Sequence, residues 1–365
     1  MSLAERLKAA RKNAGLKQRQ MFQKCGIDDS SLSSFENGHS EPRLSQLEAL
    51  AKAYHVPLSY FFTEEMNLNQ LVMWRNKPAN NKEIEAEFIN LCRQYRQFEI
   101  WTNAVTEKHL PDLDNHFERF DYPQVQTMAT DARRILGLGD RPGESLYWIL
   151  EEVYSIKIFY MDLGQEGIAA CAVSDEFGKA ILLNKNCTRW RRNHDLAHEL
   201  FHILTWKRFD HCQGICEPTE QEEKFATCFA GNLLLPTDIV RPVIEESFDD
   251  ENNIPFSSLD RISREFDVSL ESLLWRLHFL YKCDEKVTKE YITMAREYVM
   301  STKRERGFEP PLFPERYRSL AIKAFQNGEI SLGRFAKFMR IKRMEAETYI
   351  IGKEPEYAGP AIPPS

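Results

Sequence analysis

Two histidines four residues apart, with a glutamate directly after the first, constrain this chain more than any other feature. His198-Glu199-Leu200-Phe201-His202 lies within the apolar, helix-like run 195–206. On an α-helix, residues four apart stand one above the other on a single face. Two imidazoles so placed can grip one zinc ion, while Glu199 reaches a water there as general base. The fold must then supply a further donor, because a catalytic zinc site normally has three protein ligands and one open position.

His194 extends the same helical stripe but cannot be that donor. The eight residues from His194 to His202 rise about 12 Å, whereas a metal–nitrogen bond is about 2 Å. His194 therefore belongs behind the ligands or at the surface. Six residues after His202, where one class of zinc peptidases places its third histidine, stands Arg208, and His211 comes three residues too late. The best candidate is on the next predicted helix. Thr219 and Glu222 form a capping-box pattern, and Ala226, Phe229, Ala230, Leu233 and Leu234 follow with helical spacing. The cap engages Glu222, which leaves Glu223 free to reach the metal. A carboxylate at the edge of a buried stripe is costly unless paired or ligating. His211, Cys212 and Cys216 form a further cluster between the two helices, read as an ordinary loop with reduced thiols.

The 365 residues suggest two or three domains, and 42% hydrophobic with 28% charged residues is ordinary for a globular protein. No basic-plus-apolar leader opens the chain, and no apolar run approaches the roughly 20 residues of a membrane span. The expected compartment is the cytoplasm, with the eight scattered cysteines reduced. A net charge of −7 argues against non-specific nucleic-acid binding by the whole chain. The charge is uneven: residues 1–62 carry nine Lys+Arg against six Asp+Glu, so a basic module precedes an acidic body.

In that module Leu3, Leu7 and Ala10 begin a helix that stops near Gly15, and a second runs from about Gln18 to Cys25. Gly26 supplies a tight turn, Asp28 can cap a third helix through Phe35, and Leu47, Leu50, Ala51 and Tyr54 mark another. The pattern reads as helix-turn-helix. Residues 64–121 repeat Ile84, Phe88, Leu91 and Tyr95 at helical spacing and read as a helical connector. Two helices follow from Tyr122, ending in "ESLYWILEEVYSI". Strands are expected at 156–161, 168–173 and 179–184, the last two as a hairpin. A sheet edge beside the metal helix could hold a substrate strand by β-addition.

Two resemblances follow from these residues. The stretch "GLKQRQMFQKCGIDDSSLSSFENGHSEPRLSQLEALAKAYHVPLSYFF" resembles the Cro/repressor-type (XRE) helix-turn-helix family. The resemblance implies operator DNA as partner. It puts Gln18 on a phosphate, Ser30, Ser31 and Ser34 at base edges, and Asn37 near the backbone. Phe22 departs from the small residue usual between the two helices, and Asp28 and Asp29 put negative charge on the DNA-facing end. The alternative role for such a module is dimerisation or capture of another repressor.

"RRNHDLAHELFH" followed by "EKFATCFAGNLLLP" resembles the ImmA/IrrE metallopeptidase family, over roughly residues 125–280. By that resemblance His198, His202 and Glu223 are the metal ligands, for Zn2+ or another divalent ion such as Mn2+, and Glu199 is the general base. Phe201, Thr227 and Asn193 stand where the family commonly has Gly, Asn and Arg, and Phe201 would add bulk near the metal. Tyr160, Arg191, Arg192 and His194 remain open as oxyanion donors.

The expected fold class is mainly α with a small β-sheet (α+β). A helix-turn-helix domain (1–63) and the connector (64–121) precede a zincin-like metallopeptidase domain (122–283). A helical C-terminal region (284–352), suited to protein docking or an auxiliary DNA contact, precedes a disordered tail (353–365). The implied function is a DNA-binding regulatory zinc endopeptidase that cuts a helix-turn-helix repressor, in stress response or mobile-element control. The alternative is a regulator or antitoxin-like protein whose metal domain senses or docks a partner without cutting. A homodimer is compatible with either, and a membrane with neither.

Overall fold

The computed structural model describes residues 2–54, 56, 58–61, 72–106, 108–113, 117–211, 217–250, 253–302 and 310–351. Helices α1 (Leu3–Asn13), α2 (Met21–Cys25), α3 (Asp29–Glu36) and α4 (Leu44–Ala53), with 3-10 turns at Gln18–Gln20 and Leu58–Phe61, build the N-terminal head. Gly26 ends α2 at φ 73°, a left-handed conformation that glycine adopts without strain. Asp28 then caps α3, accepting from the Ser31 N–H at 2.9 Å. Leu7, Met21, Leu32, Leu47 and Leu50 meet in one apolar core. Phe22 does not crowd the helix pair, as its sequence position suggested: it is 64% exposed, and its neighbour Met21 turns inward. A flexible thioether fills the gap between the helices instead.

The body begins with β1 (Val72–Trp74) and α5 (Asn81–Trp101), then α6 (Tyr122–Leu136) and α7 (Pro142–Trp148), which runs on into a π-helical turn at Ile149–Val153. Three strands follow, β2 (Lys157–Met161), β3 (Ala169–Ser174) and β4 (Gly178–Asn184). The metal-motif helix α8 (Arg189–Leu204) and α9 (Glu220–Leu234) come next. After them are α10 (Thr237–Glu245), α11 (Phe256–Glu265), α12 (Leu270–Tyr281) and α13 (Glu285–Thr302). Three more helices close the described chain: α14 (Glu315–Gln326), α15 (Leu332–Met339) and α16 (Arg343–Ile351). Among the described residues no helix is long and apolar enough to cross a membrane. The 353–365 tail lies outside the described residues.

The sheet order is β1-β3-β4-β2, with β2 parallel to β4 and the other pairs antiparallel. Side chains alternate between the two faces of a strand, and here both faces are covered. Met73, Ile158, Cys171, Ile181 and Leu183 point into one core with α6, α8, α9 and α12. Val72, Trp74, Phe159, Ala170, Ala172 and Leu182 point into a second core with α5, α14 and α15. This departs from one sequence expectation: residues 64–121 are not only a helical connector but contribute an edge strand and the helix that covers the sheet's far face. The last helices, expected to suit protein docking or an auxiliary DNA contact, pack on that same face. A buried ionic knot ties these layers, with Glu99 of α5 bonded to Lys157 of β2 at 3.2 Å and to Arg316 of α14 at 2.6 Å.

The head rests on the start of α5, where Ala86 joins the head's core. Gly15, at φ 69°, makes the approach possible, since a Cβ there would stand 2.9 Å from the Lys82 Cβ.

Candidate metal centre

Helix α8 lies between the sheet and α9, and this position sorts its side chains. Leu196, Ala197, Leu200 and Ile203 go into the core, and His198, Glu199 and His202 are buried with them, at 0–1% exposure. Desolvating three polar side chains is costly unless they gain partners. Helix α9 brings one. Thr219 and Glu222 form the capping box, with Glu222 N–H donating to Thr219 Oγ1 at 3.2 Å and Thr219 N–H to Glu222 Oε2 at 2.7 Å. The other Glu222 oxygen contacts His211 Nε2 at 2.7 Å. Both Glu222 oxygens are thus engaged, and His211 is buried against the cap. Cys212 and Cys216 lie outside the described residues.

Glu223 instead turns toward the histidines. Its Oε2 is 3.1 Å from His198 Nε2, its Oε1 is 3.4 Å from His202 Nε2, and the two Nε2 atoms are 3.3 Å apart. Donors each about 2.0–2.1 Å from a tetrahedral ion stand about 3.3–3.4 Å from one another, so this donor set fits a divalent metal. Two imidazoles and a carboxylate also match the chemistry that zinc accepts. Among the described residues this is the one group of three or more potential ligands brought together. Glu223 is 28% exposed, so the centre opens on the α9 side.

The protonation pattern fits ligands and a base. Burial drives His198 down to about 3, toward the neutral imidazole that binds metal. Burial would raise Glu223, but hydrogen bonds from His198 and His202 outweigh it and lower the carboxylate to about 2. Glu199 points from α8 toward β3, and burial pushes it up to about 8, with the Cys171 thiol partly offsetting the effect. Apart from that thiol, neither Glu199 oxygen has a hydrogen-bond partner among the described residues.

The residues left open as oxyanion donors are dispersed. Arg192 donates to the Cys187 and Lys185 carbonyls at 2.6 and 3.3 Å, and its guanidinium lies over the Tyr160 ring, which stacks on Tyr147. Arg191 pairs with Asp195 at 3.1 Å, and His194 lies half-buried beside the same carboxylate, 3.8 Å from it. Phe201 packs against Phe120, Phe209 and Phe229 and meets the His202 ring edge to face, centroids 5.7 Å apart. Asn193 ties α8 to the α11–α12 turn through Asp267. Thr227 donates back to the Glu223 carbonyl at 2.9 Å.

Sequence reasoning missed Arg75. It follows β1 and reaches the centre from the sheet side, with Nη1 2.7 Å from Asp195 Oδ1 and Nε 3.9 Å from Glu223 Oε2. No local pattern announces it, because its partners lie more than a hundred residues away. The edge strands of the sheet are β1 and β2: β1 pairs with β3, Met73 opposite Cys171, so β3 is an inner strand.

In the head, the residues expected at DNA bond to neighbouring side chains of the head. Ser30 and Ser31 donate to the Asp28 carboxylate, which holds its pKa well below the usual range. Gln18 donates to Glu36 at 2.9 Å beside the Arg11–Glu36 pair, Ser34 contacts Ser40, and Asn37 contacts Ser33. Ser30 and Asn37 are exposed, and Gln18, Ser31 and Ser34 are half-buried.

Comparison with known proteins agrees with this geometry. Residues 151–278 match the IrrE N-terminal-like domain, peptidase M78, and residues 7–61 match a helix-turn-helix family. The HTH-type transcriptional regulator ImmR of Bacillus subtilis (strain 168) is 29% identical over 113 residues, covering 30% of this chain and 89% of that protein. Among solved structures, a Mycobacterium tuberculosis transcriptional regulator aligns at 16% identity and TM-score 0.32, over 52% of this chain and 51% of that one. Bacillus thuringiensis PlcR, in complex with the peptide PapR7 and DNA, aligns at 10% identity and TM-score 0.17, over 96% and 94%. At these TM-scores neither alignment bears on the arrangement of the domains. The chain joins an N-terminal helix-turn-helix domain of the XRE type to a C-terminal IrrE-like domain of the peptidase M78 family.

Proposed function

We propose that this chain is a DNA-binding regulator whose second domain is a metal-dependent endopeptidase acting on a helix-turn-helix repressor or an antitoxin-like partner. The observation that carries the reading is Glu199. A metal held only for structure needs no carboxylate beside it and closes its fourth position. Here a buried, poorly satisfied glutamate directly follows His198 in sequence, and the three-donor cluster of His198, His202 and Glu223 includes a partly exposed carboxylate. A divalent ion held by His198, His202 and Glu223 would polarise a scissile carbonyl and acidify water. Glu199, poised near neutrality by burial, takes the proton of the attacking water and returns it to the leaving amine. The helix-turn-helix head and the likeness to ImmR support a regulatory target over general digestion.

A second reading is a domain that docks or senses a partner without cutting it: a strand added on this side of the sheet would pair with the edge strand β1 and not with β3.

Glu199→Gln separates the two. It keeps size and hydrogen bonding but cannot accept the proton, so cleavage of a repressor encoded beside this chain should fall about 100- to 10,000-fold. Bound zinc should stay unchanged. A variant that binds zinc and is indistinguishable from wild type in every regulatory readout sinks the peptidase reading. DNA binding is tested by a shift assay on the chain's own upstream region at several salt concentrations, since phosphate contacts make affinity fall with salt.

A further inference from the structure

The metal ligands come from α8 and α9, and among the described residues of those helices only the two imidazoles meet the carboxylate of Glu223. It sits in the first turn of α9 and is 28% exposed, so its carboxylate could equally turn to water. Its neighbour Glu222 is fixed by two partners, whereas among the described residues the Glu223 carboxylate meets the imidazoles and Arg75. Arg75 is itself anchored. Its Nη1 is bonded at 2.7 Å to Asp195, which is 1% exposed and stands one turn before His198 on α8. Arg191 holds the same carboxylate from the other side. A guanidinium is planar, permanently charged and able to serve two carboxylates at once. It thus spans from the ligand helix α8 to the ligand on α9.

We propose that Arg75 is a positioning residue of the metal centre, contributed by the segment after β1, which holds Glu223 in its ligating orientation through its anchor on Asp195. This rests on the assignment of His198, His202 and Glu223 as metal ligands, and it is independent of whether the site cuts peptides. Arg75 lies outside residues 151–278, so the centre draws on a part of the chain that the peptidase-family match does not include. The role predicts a sign. If Arg75 acted only as a nearby positive charge, its removal would tighten binding of a dication. If it orients a ligand, its removal weakens binding, by about the 10- to 100-fold typical of residues that support a metal ligand.

The test is metal binding by the full chain, with Zn2+ in competition with a chelating dye and with Co2+ read by its absorption spectrum. Arg75→Met should raise the Zn2+ dissociation constant about 10- to 100-fold and alter the Co2+ spectrum as the carboxylate is lost. Arg75→Lys, which keeps the charge, should recover part of the loss. Asp195→Asn should move in the same direction, and the double variant should cost less than the sum of the two. Tighter or unchanged Zn2+ binding in Arg75→Met overturns the proposal and leaves the ligand set standing. Should Arg75→Met not fold, Arg75→Lys and Asp195→Asn decide by the same criterion. A wild-type chain that binds neither metal overturns the ligand assignment together with the proposal. A wild type that binds metal in this Arg75-dependent way but cleaves nothing removes the peptidase reading alone.

Discussion

Glu151 shows what one carboxyl does when a fold closes over it. It is 1% exposed on the π-helical turn, with the Tyr95 hydroxyl donating to it at 3.1 Å. Burial pushes its pKa up to about 7, and the Tyr147 and Tyr95 hydroxyls hold it down only in part. The folded chain therefore binds this proton more tightly than the unfolded chain does. The stabilisation is complete below pH 4.5, the ordinary value, and is lost as pH rises through about 7. Glu151→Gln cannot ionise, so its stability should not decline across that window. At pH 8 it should exceed wild type by up to about 3 kcal/mol. Urea unfolding at pH 5 and pH 8 measures this, and an equally steep decline in the variant would contradict it. Individual residues differ in how far the sequence discloses them. The Thr219–Glu222 box and the partners of α8 sit within a few residues or on one helical stripe, and periodicity finds them. Phe201 stands beside His202 in space as in sequence, ring centroids 5.7 Å apart, but the aromatic neighbours it packs on are not visible in the local sequence. Arg75 has no local signature at all.

Among the elements, β1 was the one that sequence patterning could not reach. Three residues are too few to display a period of two, and its partners, Ala170–Ala172, lie about a hundred positions away. The three later strands were readable because they are longer and two are joined by a short turn. The helices α5 and α14 were readable as helices, but not as neighbours. What joins them is the knot around Glu99, which is fully buried with Lys157 at 2% and Arg316 at 10% side-chain exposure. Removing one member of a buried ion cluster strands the others. Glu99→Ala should therefore destabilise the full chain by about 3–5 kcal/mol, read by chemical denaturation at neutral pH. A loss below about 1 kcal/mol would mean that Lys157 and Arg316 find other partners.

For the whole molecule, the far face of the sheet decides how many parts there are. Phe159, Ala170 and Leu182 on the strands and Tyr95 and Phe98 on α5 are buried together with Tyr317, Leu320 and Phe335 of the last helices. A contiguous apolar surface of that kind is not left open on a soluble protein. A chain ended after residue 302 should thus bind a hydrophobic dye strongly and lose its cooperative melt. A sharp melt with no dye binding would show that the last helices are dispensable. The sequence revealed a head, a metal motif and helices after it. It could not show that the segments before and after the motif meet across the sheet, since that contact is long-range and fixed only by packing.

The short strand at the sheet's edge has a consequence for dividing this protein. Cut at the limits of the recognisable peptidase-like segment, β3 would present a bare row of backbone donors and acceptors, with alanines and a cysteine as its only side chains from Ala169 to Ala172. Such a rim invites pairing with another molecule of its kind. The portion that can be recognised is therefore smaller than the portion that can remain dispersed in solution, and the safe border for a fragment lies before residue 72 and not at residue 151.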